Sequence, residues 1–281
     1  MRLDPQAIEA LRILGQVLAE NGRSFVLIGA TVPWLLLDLR QGHESGSRAT
    51  YDMDAAIETE TWEDFNRLRR RLSQAGFQLG SAPHQLRFGE EVSIDLIPFG
   101  PGLVQGDRLV WPETDTVMSA LGLEEAFECA IAEELAPGLL VRIVQIPGLV
   151  LLKIIAYKDR PEERARDLTD LVYCFKHYEE EIETSRRFNL AGFVVDGRGL
   201  QFDEAGAYLL GNEVAKLAKP KSFIVVRKFL EGIPDEYARP IGQVLAEEGL
   251  VLNNERRRAE LFRLFRVFAA GLHDEEISHR G

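Results

Sequence analysis

Residues 51–57 read YDMDAAI and residues 92–99 read VSIDLIPF. Both runs have the composition and alternation of short, half-buried strands. Side chains along a strand alternate faces, so Asp52 and Asp54 project to one side and Met53 to the other. Two carboxylates held side by side are costly unless a cation or water shares the site. In the second run Val92, Ile94 and Leu96 alternate with Asp95, an acid inside an otherwise apolar strand. A charged group in that setting needs a reason.

Upstream of the first acidic strand, Ser24 to Ile28 forms a short apolar strand that stops at Gly29, and Thr31 to Leu39 continues as a helix with Pro33 in its first turn. A strand, a turn without a bulky side chain and a helix N-terminus make a phosphate site, because backbone N–H groups point at the anion. Gly29 also fits as a packing glycine at a strand end. Thr31 either contacts phosphate or caps the helix. Residues 4–21 precede this unit as an amphipathic helix, and Asn21-Gly22 closes it. The polar loop QGHESGS (41–47) follows, then the YDMDAAI strand, and then a helix over 61–74 closed by Gly76.

Strands over 86–88 and 92–97 form a hairpin through Gly89-Glu90-Glu91. Strand-like runs at 123–130 and 139–144 flank Pro137-Gly138. Pro147 opens a helix, 162–178 forms another, and 185–281 is mainly helical by periodicity. The order places the chain in the α+β class, with a mixed sheet flanked by helices and a mainly helical C-terminal domain. The boundary falls near residue 183, giving a sheet-bearing domain over 1–183, with Lys153 on its last helices, and a helical domain over 184–281.

The chain has 281 residues, 46% hydrophobic and 28% charged, with a formal net charge of -12. That balance excludes broad, nonspecific coating of nucleic acid but not a local basic patch. Cys129 and Cys174 lack metal-site spacing and read as reduced thiols. The N-terminus reads as a helix rather than a leader. The longest apolar run, Ile146 to Ala156, is interrupted by Lys153 and too short to span a bilayer, so cytoplasmic residence without a membrane is the expectation.

Together Asp52, Asp54 and Asp95 could hold two Mg²⁺ (or Mn²⁺) ions, hard cations suited to carboxylate and phosphate oxygens. One ion would activate an attacking hydroxyl; the other would bind a triphosphate and stabilise its leaving pyrophosphate. His43 and His84 lie nearest these acids in sequence but read as loop residues. Arg256-Arg257-Arg258, with Arg263 and Arg266, could hold RNA phosphates or form a helix face paired with Glu255 and Glu260. Trp34, Trp62 and Trp111 could stack a base or anchor the core.

FVLIGATVPWLLL, ATYDMDAAI and VSIDLIPF together resemble the DNA polymerase β-like nucleotidyltransferase superfamily. There a Gly-Ser or Gly-Gly turn precedes a D-x-D pair and a third acid lies on a later strand. Gly29-Ala30 replaces that turn pair, so a Ser hydroxyl contact is absent or moved to Thr31. A second block, LLKIIAYKDRPEERARDLTDLVYCF, resembles the AbiEii-type nucleotidyltransferase toxins, as does EAGAYLLGNEVA (204–215). The resemblance implies that Lys153 meets the triphosphate, that Asp167 orients Lys153 or assists proton removal from the acceptor, and that Arg160 contacts phosphate. It further implies an NTP substrate, and RNA such as tRNA, or protein, as acceptor. A cognate antitoxin would be the partner. Adenylylation of an aminoglycoside-like molecule and a non-catalytic, degenerate binding role are the alternatives.

Overall fold

A computed structural model describes residues 3–38, 52–179, 194–195, 198–250 and 254–280. The QGHESGS loop, His43, Tyr51 and the boundary expected near residue 183 lie outside the described residues. The chain divides into two compact units, Met1–Gln145 and Ile146–Gly281. The Lys153 helix therefore opens the second unit.

The first unit is built on a seven-stranded sheet. Its strands are β1 (Phe25–Ile28), β2 (Asp52–Glu58), β3 (Gln78–Leu79), β4 (Gln85–Phe88), β5 (Val92–Phe99), β9 (Ile131–Ala136) and β10 (Leu139–Ile143). Their spatial order is β3-β4-β5-β2-β1-β10-β9. β2 runs parallel to β5 and β1 parallel to β10, while β1 and β2 are antiparallel, so the sheet is mixed. Helix α1 (Pro5–Glu20) starts where the Asp4 carboxylate accepts the Gln6 N–H at 2.7 Å, with Pro5 in its first turn. Its buried stripe is Ala7, Leu11, Leu14 and Leu18. Helix α2 (Thr31–Pro33) follows β1 and runs on as one π-helical turn, Trp34–Asp38. Helix α3 (Trp62–Gln74) is capped by the Thr61 hydroxyl and buries Phe65, Leu68 and Leu72 at helical spacing.

The strand expected over 123–130 is instead a short helix, α4 (Leu123–Glu128). Gly122, at φ +83°, turns the chain into it, and Leu123 and Ala126 are buried at i, i+3. The strand lies one step later, as β9, and Pro137-Gly138 makes the β9–β10 turn. A small second sheet, β6 (Val104–Gln105), β7 (Arg108–Val110) and β8 (Val117–Ser119), inserts between β5 and α4.

Among the described residues, the second unit's regular elements are helices apart from the β11–β12 pair (Val194–Val195, Arg198–Gly199). Its helices are α5 (Ile146–Asp159), α6 (Ala165–His177), α7 (Phe202–Leu217), α8 (Pro220–Glu231), α9 (Arg239–Glu247) and α10 (Glu255–Arg280). Phe175, Phe229, Phe265 and Phe268 form its aromatic core. Helices α7 and α10 meet at Gly211 and Gly271, where backbone faces backbone. Among the described residues no helix is long and apolar enough to cross a membrane.

Candidate active site

The three aspartates sit on the two parallel neighbours β2 and β5. Asp54 pairs with Asp95 in register, Asp52 pairs with Ser93, and on the other flank Ile28 pairs with Asp54. Residues paired across neighbouring strands share a face. The sheet therefore carries Asp95 and Asp54 side by side, with Asp52 two residues back on the same face. Met53, Ala55, Ile94 and Leu96 alternate with them and are fully buried in the core. That anchoring fixes which way the carboxylates point.

Gly29 lies against this pair. Its φ is +83°, and a Cβ placed on it would come within 1.9 Å of Asp54 Oδ2. Only glycine permits both the left-handed backbone and that close approach. Ala30 then starts α2 in a right-handed conformation without a side-chain cap. Thr31 is buried, and its hydroxyl donates to the Asp52 carbonyl at 3.1 Å. It thus neither caps its helix nor stands free; it ties the start of α2 to the strand bearing two of the acids. The Val32 N–H donates to the Gly29 carbonyl at 3.3 Å, which closes the turn.

His84, read from the sequence as a loop residue, stands beside Asp95. Its Nε2 is 3.6 Å from Asp95 Oδ2. The missed signal was the hairpin register: Phe88 opposite Val92 puts Gln85 opposite Asp95, one residue from His84.

In the helical unit, Lys153 is buried on α5. Its ammonium donates to Asp167 Oδ1 at 3.0 Å and to Asp170 Oδ2 at 2.7 Å, both on α6. Burial alone would lower the Lys153 pKa, but Asp170 and Asp167 outweigh it and the net direction is upward. Lys153 therefore stays charged. Asp167 Oδ2 is buried and accepts no hydrogen bond among the described residues. Cys174, buried nearby, has its thiol pushed up to about 12, first by burial. Arg160, at the α5 end, is half-buried and 3.8 Å from Glu163.

The arginine run of α10 is largely committed internally. Arg257 pairs with Glu248 and Glu260, buried Arg258 donates to the Glu236 carbonyl, and Arg263 pairs with Glu204. Trp111 is a core residue packed on Trp62 and Phe65, and Trp34 is buried too.

Among the described residues no three His, Cys, Asp or Glu side chains converge closely enough to cage an ion. Mg²⁺ does not require that. It is usually held by one or two carboxylates, with waters and substrate phosphates completing the octahedron. Asp54 and Asp95 are paired across adjacent strands, and the Gly29 turn lies directly against Asp54.

The chain is thus an α+β protein whose mixed sheet carries paired acids on adjacent strands, with a glycine turn pressed against one of them. The family model described as nucleotidyl transferase AbiEii toxin, Type IV TA system, matches residues 12–233. The chain belongs to that family. No curated protein matches it closely in sequence. Among solved structures it is similar to JHP933 from Helicobacter pylori, at 15% identity and TM-score 0.38 over 99% of this chain and 97% of that one. A putative nucleotidyltransferase from H. pylori gives 16% identity and TM-score 0.39 over 97% and 98%. An antigenic nucleotidyltransferase-like protein from Paracoccidioides brasiliensis gives 15% identity and TM-score 0.40 over 62% and 77%.

Proposed function

We propose that this chain is a divalent-metal-dependent nucleotidyltransferase that moves a nucleoside monophosphate from an NTP to an acceptor hydroxyl on RNA, such as tRNA, or on protein, as the toxin of a toxin–antitoxin pair. The observation that carries the reading is the register pair Asp54–Asp95 with Gly29 against it. Family membership supports the reaction class. Asp54 and Asp95 would hold the ion, with Asp52 on the same face as a further donor. A cation there supplies charge neutralisation to the triphosphate and its leaving group.

The chain's own residues set up that chemistry. Gly29 lets the turn lie on the Asp54 carboxylate. Thr31 locks the turn to β2 through the Asp52 carbonyl. Met53, Ile94 and Leu96 brace the acids from the opposite face, so they need no reorganisation as charge develops. Lys153, Asp167 and Arg160, which the family resemblance assigns to nucleotide and acceptor, remain part of the proposal as separately testable residues.

The test incubates the protein with each α-phosphate-labelled NTP, Mg²⁺ and total tRNA. Label on RNA or on protein supports the reading, and label only on an added aminoglycoside redirects it to small-molecule adenylylation. Asp54→Asn and Asp95→Asn should each slow labelling by about 10²-fold or more with unchanged circular dichroism. Wild-type rates in both variants, or no labelling and no metal-dependent NTP binding, would sink the proposal.

A further inference from the structure

The strand register lays side chains in rows across the acid-bearing face of the sheet. Asp54, Asp95 and Gln85 make one row, and Asp52, Ser93 and Arg87 make the next. Leu86, Val92 and Ile94 alternate with them and are buried on the opposite face. Arg87, on β4, therefore projects from the same face as the acids, and it is exposed. It is the diagonal neighbour of Asp95, and such neighbours lie about 7–8 Å apart, within reach of a long side chain. An acid opposite a strand arginine is the stabilising arrangement. Arg87 instead has Ser93 on one side and Gln78 on the other. Among the described residues no carboxylate forms an ion pair with it, those of Glu90 and Glu91 on the adjoining turn included. Arg23, Arg67, Arg257 and Arg263, by contrast, all carry such pairs. The two flanks of the acid pair differ as well. On the β1 flank the Gly29 turn is pressed against Asp54. On the β5–β4 flank the face runs on into uncharged Ser93 and Gln85 and the Arg87 guanidinium.

We propose that Arg87 binds a phosphate of the acceptor, and that it selects a phosphodiester-bearing acceptor, RNA, over a polycationic one. This rests on the reading of Asp54 and Asp95 as the reaction centre with the triphosphate on the Gly29 side. Attacking and leaving oxygens lie roughly in line in phosphoryl transfer. A pyrophosphate that leaves toward Gly29 puts the attacking hydroxyl over β5, and the strand that bears the hydroxyl over β4. Carboxylates gathered on one face repel a polyanion. A guanidinium at the β4 position offsets that repulsion where the acceptor backbone crosses. Its planar fork also matches two oxygens of one phosphate, which a point charge does not. An aminoglycoside carries ammonium groups, and the same guanidinium repels it.

The experiment uses the full chain with total tRNA as the probe. Binding is measured first, without nucleotide or divalent ion. Arg87→Gln should weaken tRNA by about tenfold and flatten the slope of log affinity against log salt by about 0.7–0.9. Arg87→Lys keeps the charge without the fork, so it should restore the slope and only part of the affinity. Arg70→Gln removes an equal charge from an exposed position on α3 and should leave both unchanged. In the labelling reaction Arg87→Gln should raise the KM for tRNA by about tenfold, with the KM for NTP and the melting curve unchanged. Wild-type tRNA affinity in Arg87→Gln, an equal loss in Arg70→Gln, no tRNA binding by the wild type, or a raised KM for NTP overturns the assignment. Asp54→Asn and Asp95→Asn separate the two levels. If both label RNA at the wild-type rate, the reaction-centre reading itself fails. If they abolish labelling while Arg87→Gln binds tRNA normally, only the role of Arg87 falls.

Discussion

Replacing Gly29 with alanine should damage the sheet unit through one identifiable contact. Two costs add. Alanine at φ +83° sits in the left-handed region, at about 1–2 kcal/mol. The new methyl would also lie 1.9 Å from Asp54 Oδ2 and 2.7 Å from its Cγ. Contact distances are about 3.5 Å, so the carboxylate must move by more than about 1 Å or the turn must open, which adds about 1–3 kcal/mol. The expected total is about 2–5 kcal/mol. In an Asp54→Ala background the oxygen and Cγ are gone, and only the Cβ contact at 2.9 Å and the backbone cost remain. The double-mutant cycle should therefore show a coupling of about 1–2 kcal/mol. The assay is urea unfolding followed by tryptophan emission. Trp34, Trp62 and Trp111 are the chain's three tryptophans and all lie in residues 1–145, so this signal reports the sheet unit alone. Gly29→Ala should also weaken Mn²⁺ binding, because it displaces Asp54 from Asp95. An equal cost in both backgrounds, within about 0.5 kcal/mol, would refute the reasoning.

Lys153→Met leaves Asp167 and Asp170 buried without their cation and should cost about 3–5 kcal/mol, measured by far-ultraviolet circular dichroism. Lys153→Met with Asp167→Leu and Asp170→Leu together should recover most of that loss, and a triple variant as weak as the single would contradict the account. The same cluster sets an alkaline limit. The folded Lys153 pKa lies above its usual 10.5, so its contribution is complete below that pH and is lost as pH rises through the folded value. Stability measured from pH 9 upward should fall only beyond about 10.5, and Lys153→Met should lack that component. Gly211→Ala would push a methyl to 2.2 Å from the Phe268 carbonyl oxygen and 2.7 Å from the Leu272 nitrogen, main-chain atoms that cannot step aside. A loss of more than about 2 kcal/mol is expected, with Gly271→Ala matching it against the Tyr208 carbonyl, and near-neutral melts for both would be the contrary result.

What could be read in advance follows from how locally each feature is encoded. Alternation in YDMDAAI and VSIDLIPF is local, so two acids on one face of one strand and a third on another strand were legible. Their meeting was not, because parallel pairing of β2 with β5 joins strands with a helix between them and no turn to set the register. The hairpin β4–β5 is the contrasting case. Its register follows from the turn, and counting from it would have found His84. The β6–β8 strands, two or three residues each, are too short to carry a period. Residues 123–130 looked like a strand because a one-turn helix and a short strand share an apolar composition, and Gly122 at positive φ decides between them. Lys153 shows how much of a buried charge's setting the sequence carries. The family resemblance has Lys153 meet the triphosphate and Asp167 orient it or assist proton removal, and the Lys153–Asp167 contact is present at 3.0 Å. Asp167 and Asp170, i and i+3 on one helix, were already visible in RDLTD as a pair able to share one ammonium. Once they are buried against it, any anion Lys153 serves must compete with two carboxylates or bind through the donor capacity that remains. The ligand-binding role proposed for Lys153 would therefore be coupled to its stabilising one. Conservative replacement by arginine, which cannot reproduce two separate single-point contacts from one nitrogen, should disturb both together.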